Sequence, residues 1–218
     1  MLLYYNTDRK AFAGTETQQR TTLLGRIAEA AHAGVDYIQQ REKDLPSADL
    51  QQLAREAVRA VRGSSTTTKL LINSHADIAI AAGADGVHLT AGSPPARDIR
   101  DLWRNCDREP LIGVSAHSVD DVRQAEADGA SFAVLAPIFE KAASTTKGIG
   151  LEVLRAACSP SSRQRPRFTV LALGGVTLSN AHACLDAGAS GIAGIRVFQQ
   201  GDVSRTVHAL RDLVRSGN

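Results

Sequence analysis

The chain has 218 residues, 43% of them hydrophobic, enough for one substantial core and within the range in which an α/β barrel forms a single domain. Its 25 basic and 23 acidic residues leave a formal charge of +2, which gives no sustained field for nucleic acid or an anionic membrane; any anion site has to be local. Cys106, Cys158 and Cys184 are odd in number and widely spaced, which fits neither a disulfide framework nor a zinc motif and reads as idle thiols in a reducing cytosol. The opening MLLYYNTDRK lacks a secretory leader, and no later run approaches the roughly 18 apolar residues of a membrane span. The expectation is a soluble, cytoplasmic protein.

In chain order, LLYYNT at 2–7 reads as a strand and is followed by a helix over 17–33. AGVDYIQQR at 33–41 supplies the second strand, with a helix over 46–62, and KLLIN at 69–73 the third, with a helix over 74–82. AGADGVHL at 82–89 and LIGVS at 111–115 are strands four and five, followed by helices over 94–104 and 118–128. DGASFAVLAPIF at 128–139, FTVLALGG at 168–175 and AGASGIAGIRVF at 187–198 complete the set, with helices over 149–157, 178–187 and 203–215. Strands two, four, six and eight open on one repeated phrase, a Gly after an Ala-rich helical stretch and then apolar and β-branched residues, which is a helix C-cap leading into a buried strand. Ser93-Pro94, Ser118 with Asp121, and Ser179-Asn180 mark helix starts.

Eight apolar strands alternating with eight helices predict parallel strands joined by helical crossovers, an α/β fold closed as a single (βα)8 TIM barrel over 1–218. An open doubly wound sheet is the alternative, disfavoured because no G-x-G-x-x-G follows the first strand. The polar stretch Gly63–Thr68 reads as an inert flexible link on the bottom face, and 140–148, after strand six on the top face, is a candidate lid.

Barrel enzymes carry their chemistry at the C-terminal strand ends. Strand two ends in Gln39-Gln40-Arg41-Glu42-Lys43, where alternation sets Gln39, Arg41 and Lys43 on one side, an arrangement suited to an oxyanion; the competing reading is a self-neutralised charge run. Gly174-Gly175 ends strand seven and Gly194-Ile195-Arg196 ends strand eight, which lets backbone N–H groups approach a phosphate, although turns need glycines too. Arg196 either adds a charge-assisted contact or points to solvent. His117 sits just before a capped helix, as a proton donor and acceptor near neutral pH or as a hydrogen-bonded loop residue. His88 lies within strand four and faces either the barrel or the helices, and His75 with His88 lacks the spacing of a helical zinc pair, so no metal site is assigned.

Gln39-x-Arg41-Glu42-Lys43, Leu71-Ile72-Asn73, Gly83 to Leu89, Gly113-Val114-Ser115-x-His117-Ser118, Ala136 to Phe139, Thr146-Lys147 with Gly150-Leu151-Glu152, and Leu173 to Val176 occur in order across nearly the whole chain. Together they resemble the thiamine phosphate synthase and TenI superfamily. The resemblance implies a barrel that binds a thiazole phosphate at the glycines of strands seven and eight. It implies a pyrimidine diphosphate held at Gln39, Arg41, Lys43, Asn73 and Lys147, with Ser115 and Thr145 or Thr146 lining that site. It also implies two carboxylates holding Mg2+, one directly after the Asn and one shortly after the Gly-Val-His-Leu strand. Ser74 occupies the first position, and the second falls within Thr90-Ala91-Gly92-Ser93, so neither carboxylate is present.

That loss puts a TenI-like, metal-independent thiazole tautomerase first, with His117 moving the proton and Arg41 or Lys43 on the substrate carboxylate. The alternative is a thiamine phosphate synthase, for which alone Mg2+ is expected; otherwise no cofactor is. A third reading is a non-catalytic sensor of thiazole or thiamine phosphate. The expected partner is a small-molecule thiazole phosphate rather than nucleic acid or a membrane, and a homo-oligomer is compatible with the sequence.

Overall fold

A computed structural model describes residues 1–90, 92–106, 108–140, 147–160 and 168–215. Eight parallel strands close into one barrel in sequence order: β1 (Leu2–Asn6), β2 (Tyr37–Gln40), β3 (Lys69–Asn73), β4 (Gly86–Leu89), β5 (Leu111–Ala116), β6 (Phe132–Leu135), β7 (Val170–Ala172) and β8 (Gly191–Gly194). The crossover helices are α1 (Glu16–His32), α2 (Ser47–Ser64), α3 (Ala76–Ala82), α4 (Ala96–Leu102), α5 (Val119–Ala127), α6 (Gly150–Cys158) and α7 (Ala181–Asp186). A short α8 (Arg196–Gln199) follows β8, and α9 (Val203–Arg215) completes the ring. The TIM-barrel expectation holds, and the barrel is closed by β1 against β8.

The glycines of the repeated phrase act as the sequence implies. Gly34, Gly83, Gly129 and Gly188 follow α1, α3, α5 and α7, all at positive φ. That is the left-handed conformation in which a helix reverses into a strand at least cost to glycine. Ser118 caps α5, its hydroxyl accepting from the Asp121 N–H at 3.1 Å. Ser93 and Asn180 do other work, because Pro95 and Thr177 precede the helical turns there. The Ser93 hydroxyl accepts from Thr90 N–H and the Asn180 side chain from Thr177 N–H, so α4 and α7 start later than expected.

Alternation sorts each strand into two cores. Tyr4, Leu71, Phe132, Val134, Leu171 and Ala193 fill the barrel, while Leu3, Tyr5, Ile38, Ile72 and their like pack against the helices. Each such fully buried aliphatic or aromatic side chain contributes about 1.5–3 kcal/mol.

The polar stretch before β3 is not a loose link. The Ser65 hydroxyl accepts from the N–H groups of Thr67 and Thr68, and the buried Thr68 hydroxyl donates to the Val35 carbonyl at 2.8 Å. Composition misled there because Ser and Thr satisfy local backbone groups as readily as they solvate a linker.

Candidate active site

A cavity of about 480 Å³ opens at the C-terminal mouth of the barrel, with Gln39, Arg41, Lys43, Asn73, Ser115 and His117 on its wall. Asn6, His88, Thr90 and the apolar Val134, Pro137 and Leu173 complete the lining. Six of the expected site residues are thus brought together.

The charge run after β2 is divided by its own alternation. Glu42 turns behind the wall, where its side chain is almost wholly buried and meets Arg9 Nη1 at 3.2 Å and the Thr7 hydroxyl at 2.6 Å. Arg9 also grips Glu16 and Asp44, at 2.5 and 2.8 Å, and these bonds hold both carboxyls below the usual carboxylate range. The Thr7 hydroxyl in turn accepts from the Arg41 N–H at 3.0 Å. Since Arg9 takes up the nearby acids, the Arg41 and Lys43 side chains have no carboxylate partner among the described residues. Unpaired cations on a concave wall are suited to an anionic ligand.

His88 faces the barrel interior, a question strand alternation alone left open. It is 2% exposed, and burial, reinforced by the positive charge of Arg41, pushes its pKa down to about 3. The ring is therefore neutral and carries one N–H. Its Nδ1 lies 3.1 Å from the Tyr4 hydroxyl and its Nε2 lies 2.9 Å from Ser115 Oγ. Tyr4 is fully buried, and burial keeps its phenol protonated, so its O–H needs an acceptor. Donation from Tyr4 to Nδ1 leaves Nε2–H to donate to Ser115, whose own proton is then directed elsewhere, toward the cavity. Room for the ring comes from Gly113, paired with His88 across β4 and β5: a Cβ there would lie 2.8 Å from Nδ1.

A second polar line descends from the rim. Asn73 Nδ2 donates to Ser74 Oγ at 3.0 Å, and Asn73 Oδ1 accepts from Gln39 Nε2 at 2.9 Å. His117, exposed on the mouth, has its N–H bonded to Asp121 and its Nδ1 2.8 Å from the Ala136 carbonyl. A carbonyl only accepts, so Nδ1 carries a proton and Nε2 is left without a partner among the described residues.

Other expected residues lie off this wall. Lys147 is exposed beyond it, and Thr145 and Thr146, with most of the 140–148 segment, fall outside the described residues. Gly174, Gly175, Gly194, Ile195 and Arg196 lie on the same barrel face at the ends of β7 and β8, and Arg196 is exposed. A Cβ on Gly174 would meet Pro137 at 2.6 Å, so this glycine is demanded by packing against the segment after β6 as well as by its φ of 96°. The N–H groups of Gly174, Gly175, Ile195 and Arg196 donate to no acceptor among the described residues. Asn6 went unnoticed in the sequence although a polar residue ending an otherwise apolar inner strand was visible there; for Arg9 no sequence signal existed.

At the positions where the resemblance implies metal carboxylates, Ser74 Oγ lies 3.2 Å from Thr90 Oγ1, and Ser74 holds a left-handed φ of 62°. Among the described residues no three His, Cys, Asp or Glu side chains converge. Mg2+ sites are normally built on one or two carboxylates, and the one buried acid near this mouth, Glu42, is committed to Arg9. Among the described residues, the hydroxyl and amide groups at these positions do not fit a divalent cation held on protein carboxylates.

The chain is 36% identical over 218 residues to the thiamine-phosphate synthase of Methanoculleus marisnigri, covering 97% of this chain and 94% of that one. It is 35% identical over 191 residues to that of Moorella thermoacetica, 86% of each chain. The structure named thiamine phosphate pyrophosphorylase from Pyrococcus furiosus superposes with a TM-score of 0.78 at 26% identity, covering 99% of this chain and 96% of that one. Residues 11–198 match the family described as thiamine monophosphate synthase (TMP-TENI), and the chain belongs to that family.

Proposed function

We propose that the protein is a thiamine-phosphate synthase, joining hydroxymethylpyrimidine diphosphate to a thiazole phosphate. The observation that carries this reading is the pair Arg41 and Lys43 on the cavity wall, without carboxylate partners, beside Gln39 and Asn73. The order reverses that given by the sequence, which put the tautomerase first. Relatives named thiamine-phosphate synthase, matched along nearly their whole length, support the synthase instead.

In the reaction the thiazole nitrogen forms a bond to the pyrimidine's exocyclic methylene carbon while the bond from that carbon to the diphosphate oxygen breaks. The electron pair of that bond leaves with the diphosphate, and no proton has to move. What the protein supplies is orientation and compensation of charge on the leaving group. Arg41 and Lys43 take that second role, with Lys147 as a third cation. The free N–H groups at Gly174, Gly175, Ile195 and Arg196 hold the thiazole phosphate, with Gly194 between them.

The test supplies both substrates, with Mg2+ and with a chelator, and follows thiamine phosphate. Product under both conditions is expected, because cations rather than protein carboxylates face the diphosphate. Absence of product under both, with thiazole phosphate still bound, overturns the synthase.

A second reading, the thiazole tautomerase, is favoured by His117, which lines the cavity and whose Nε2 has no partner among the described residues. Isomerisation of a carboxythiazole phosphate that is abolished by His117→Ala would establish it. Tight binding of both ligands without turnover in either assay would point to a sensor.

A further inference from the structure

Asn6 is the last residue of β1 and shares the inward phase of Leu2 and Tyr4. It is 4% exposed, lies on the cavity wall and stands opposite Gln39 in the register of β1 and β2. Its Oδ1 is sealed from solvent with no hydrogen-bond partner, and its side chain makes no hydrogen bond among the described residues. The neighbouring polar groups are already engaged. Gln39 gives its Nε2 to Asn73, His88 uses both ring nitrogens, and Ser115 Oγ accepts from His88. Asn6 alone among these deep groups keeps a whole carboxamide uncommitted, beside the unpaired Oε1 of Gln39.

Proteins seldom bury an amide without partners, and a group left so on a cavity wall awaits a ligand. A carboxamide offers a donor and an acceptor side by side. Its complement is an amidine edge, a ring nitrogen adjacent to an amino group, the pairing by which Asn reads adenine. A thiazole phosphate has no N–H to give. The pyrimidine diphosphate carries an amino group beside a ring nitrogen.

On the synthase reading above, we propose that Asn6 determines specificity for the pyrimidine substrate by pairing its free carboxamide with the aminopyrimidine edge. Arg41 and Lys43 then meet the diphosphate at the rim while Asn6 fixes the ring at the floor. With Glu42 paired to Arg9, no uncommitted carboxylate lines the cavity among the described residues to draw the ring toward its protonated form.

The experiment titrates wild type and Asn6→Leu with hydroxymethylpyrimidine diphosphate and with its analogue bearing hydrogen in place of the amino group. Wild type is expected to prefer the amino form by roughly ten- to a hundredfold, and Asn6→Leu to bind the two alike with unchanged affinity for thiazole phosphate. The unliganded variant should melt no lower than wild type, since leucine of similar volume replaces an amide that bonds nothing; a purely structural role would lower it. Preference retained in Asn6→Leu overturns the inference and leaves the synthase standing. Should the leucine variant not fold, Asn6→Ser carries the same comparison. Failure of wild type to bind the pyrimidine diphosphate at all, with thiazole phosphate bound, overturns both.

Discussion

Two hollows of similar size, about 480 Å³ at the C-terminal mouth and about 430 Å³ at the N-terminal end, use their charges in opposite ways. At the N-terminal end Asp36 accepts from the Leu3 N–H and pairs with Arg211 at 2.7 Å, while Asp85 accepts from the Leu70 N–H and faces Lys69 and Arg108. Asp36 and Asp85 are each tied to a strand start and a cation, and the exposed Glu109 pairs with Arg100. At the mouth Arg41 and Lys43 face open space, and the acid between them has been drawn away by Arg9. Paired charges at one end hold strand starts; those at the other have no carboxylate partner among the described residues, which is what the proposed diphosphate contact requires.

The sharpest way to break this contrast is through Arg9, which enforces it. Arg9→Met leaves Glu42 charged, buried and short of its cation, a change expected to cost about 3–5 kcal/mol in denaturant unfolding. Adding Glu42→Leu should recover most of that loss. The single variant should also raise KM for the pyrimidine diphosphate, because Arg41 and Lys43 lose the anchored loop behind them. No loss of stability in the single variant would mean the network does not hold this loop.

Arg41→Ala inverts the pattern: stability should hold while kcat/KM for thiamine phosphate formation falls roughly 10²- to 10³-fold. A fall in melting temperature with kinetics intact would place Arg41 with the structural charges instead.

His88 sharpens the comparison through pH. The unfolded chain takes up a proton near the ordinary value of 6.5, whereas the folded ring resists it down to about 3. The stability this confers is complete above pH 6.5 and falls as the pH drops through that window, by up to about 1.4 kcal/mol per unit. His88→Gln should flatten the slope of unfolding free energy between pH 6.5 and 5, above the range where carboxylates contribute. An unchanged slope would mean the ring is already charged in the folded protein.

How far the sequence reaches follows from the same division. The barrel was legible because periodicity and the C-capping glycines are local signals, each repeated along the chain. Gln39, Arg41 and Lys43 were legible because alternation, carried just past the end of β2, fixes a side chain's face within a few residues, and Asn73 because it falls in the family resemblance. Arg9 and Glu42 were not, since their bond joins segments 33 residues apart and nothing local marks a buried arginine. His88 was visible as a residue but not as a neutral one; its protonation depends on burial inside the closed barrel and on the charge of Arg41 just past β2, neither of which is local to β4. The order of the two enzyme readings rested on two missing carboxylates, at Ser74 and within Thr90-Ala91-Gly92-Ser93, which weighed more in the sequence than they do beside two unpaired cations and relatives named for the synthase.

The smallest effect expected belongs to the N-terminal end. Asp85→Asn keeps an oxygen to accept from Leu70 N–H and removes only the charge facing Lys69 at 3.7 Å and Arg108 at 3.5 Å, both partly exposed. Pairs of this kind contribute about 0.2–1 kcal/mol and are screened by salt, so the loss should shrink as ionic strength rises. Turnover should not change, because the site lies across the full length of the barrel from Arg41. A drop in kcat/KM with stability unaltered would show that the two ends are coupled, and a charge at the base of β3 and β4 would then have to be counted among those that position Asn73 and His88 at the top of the same strands.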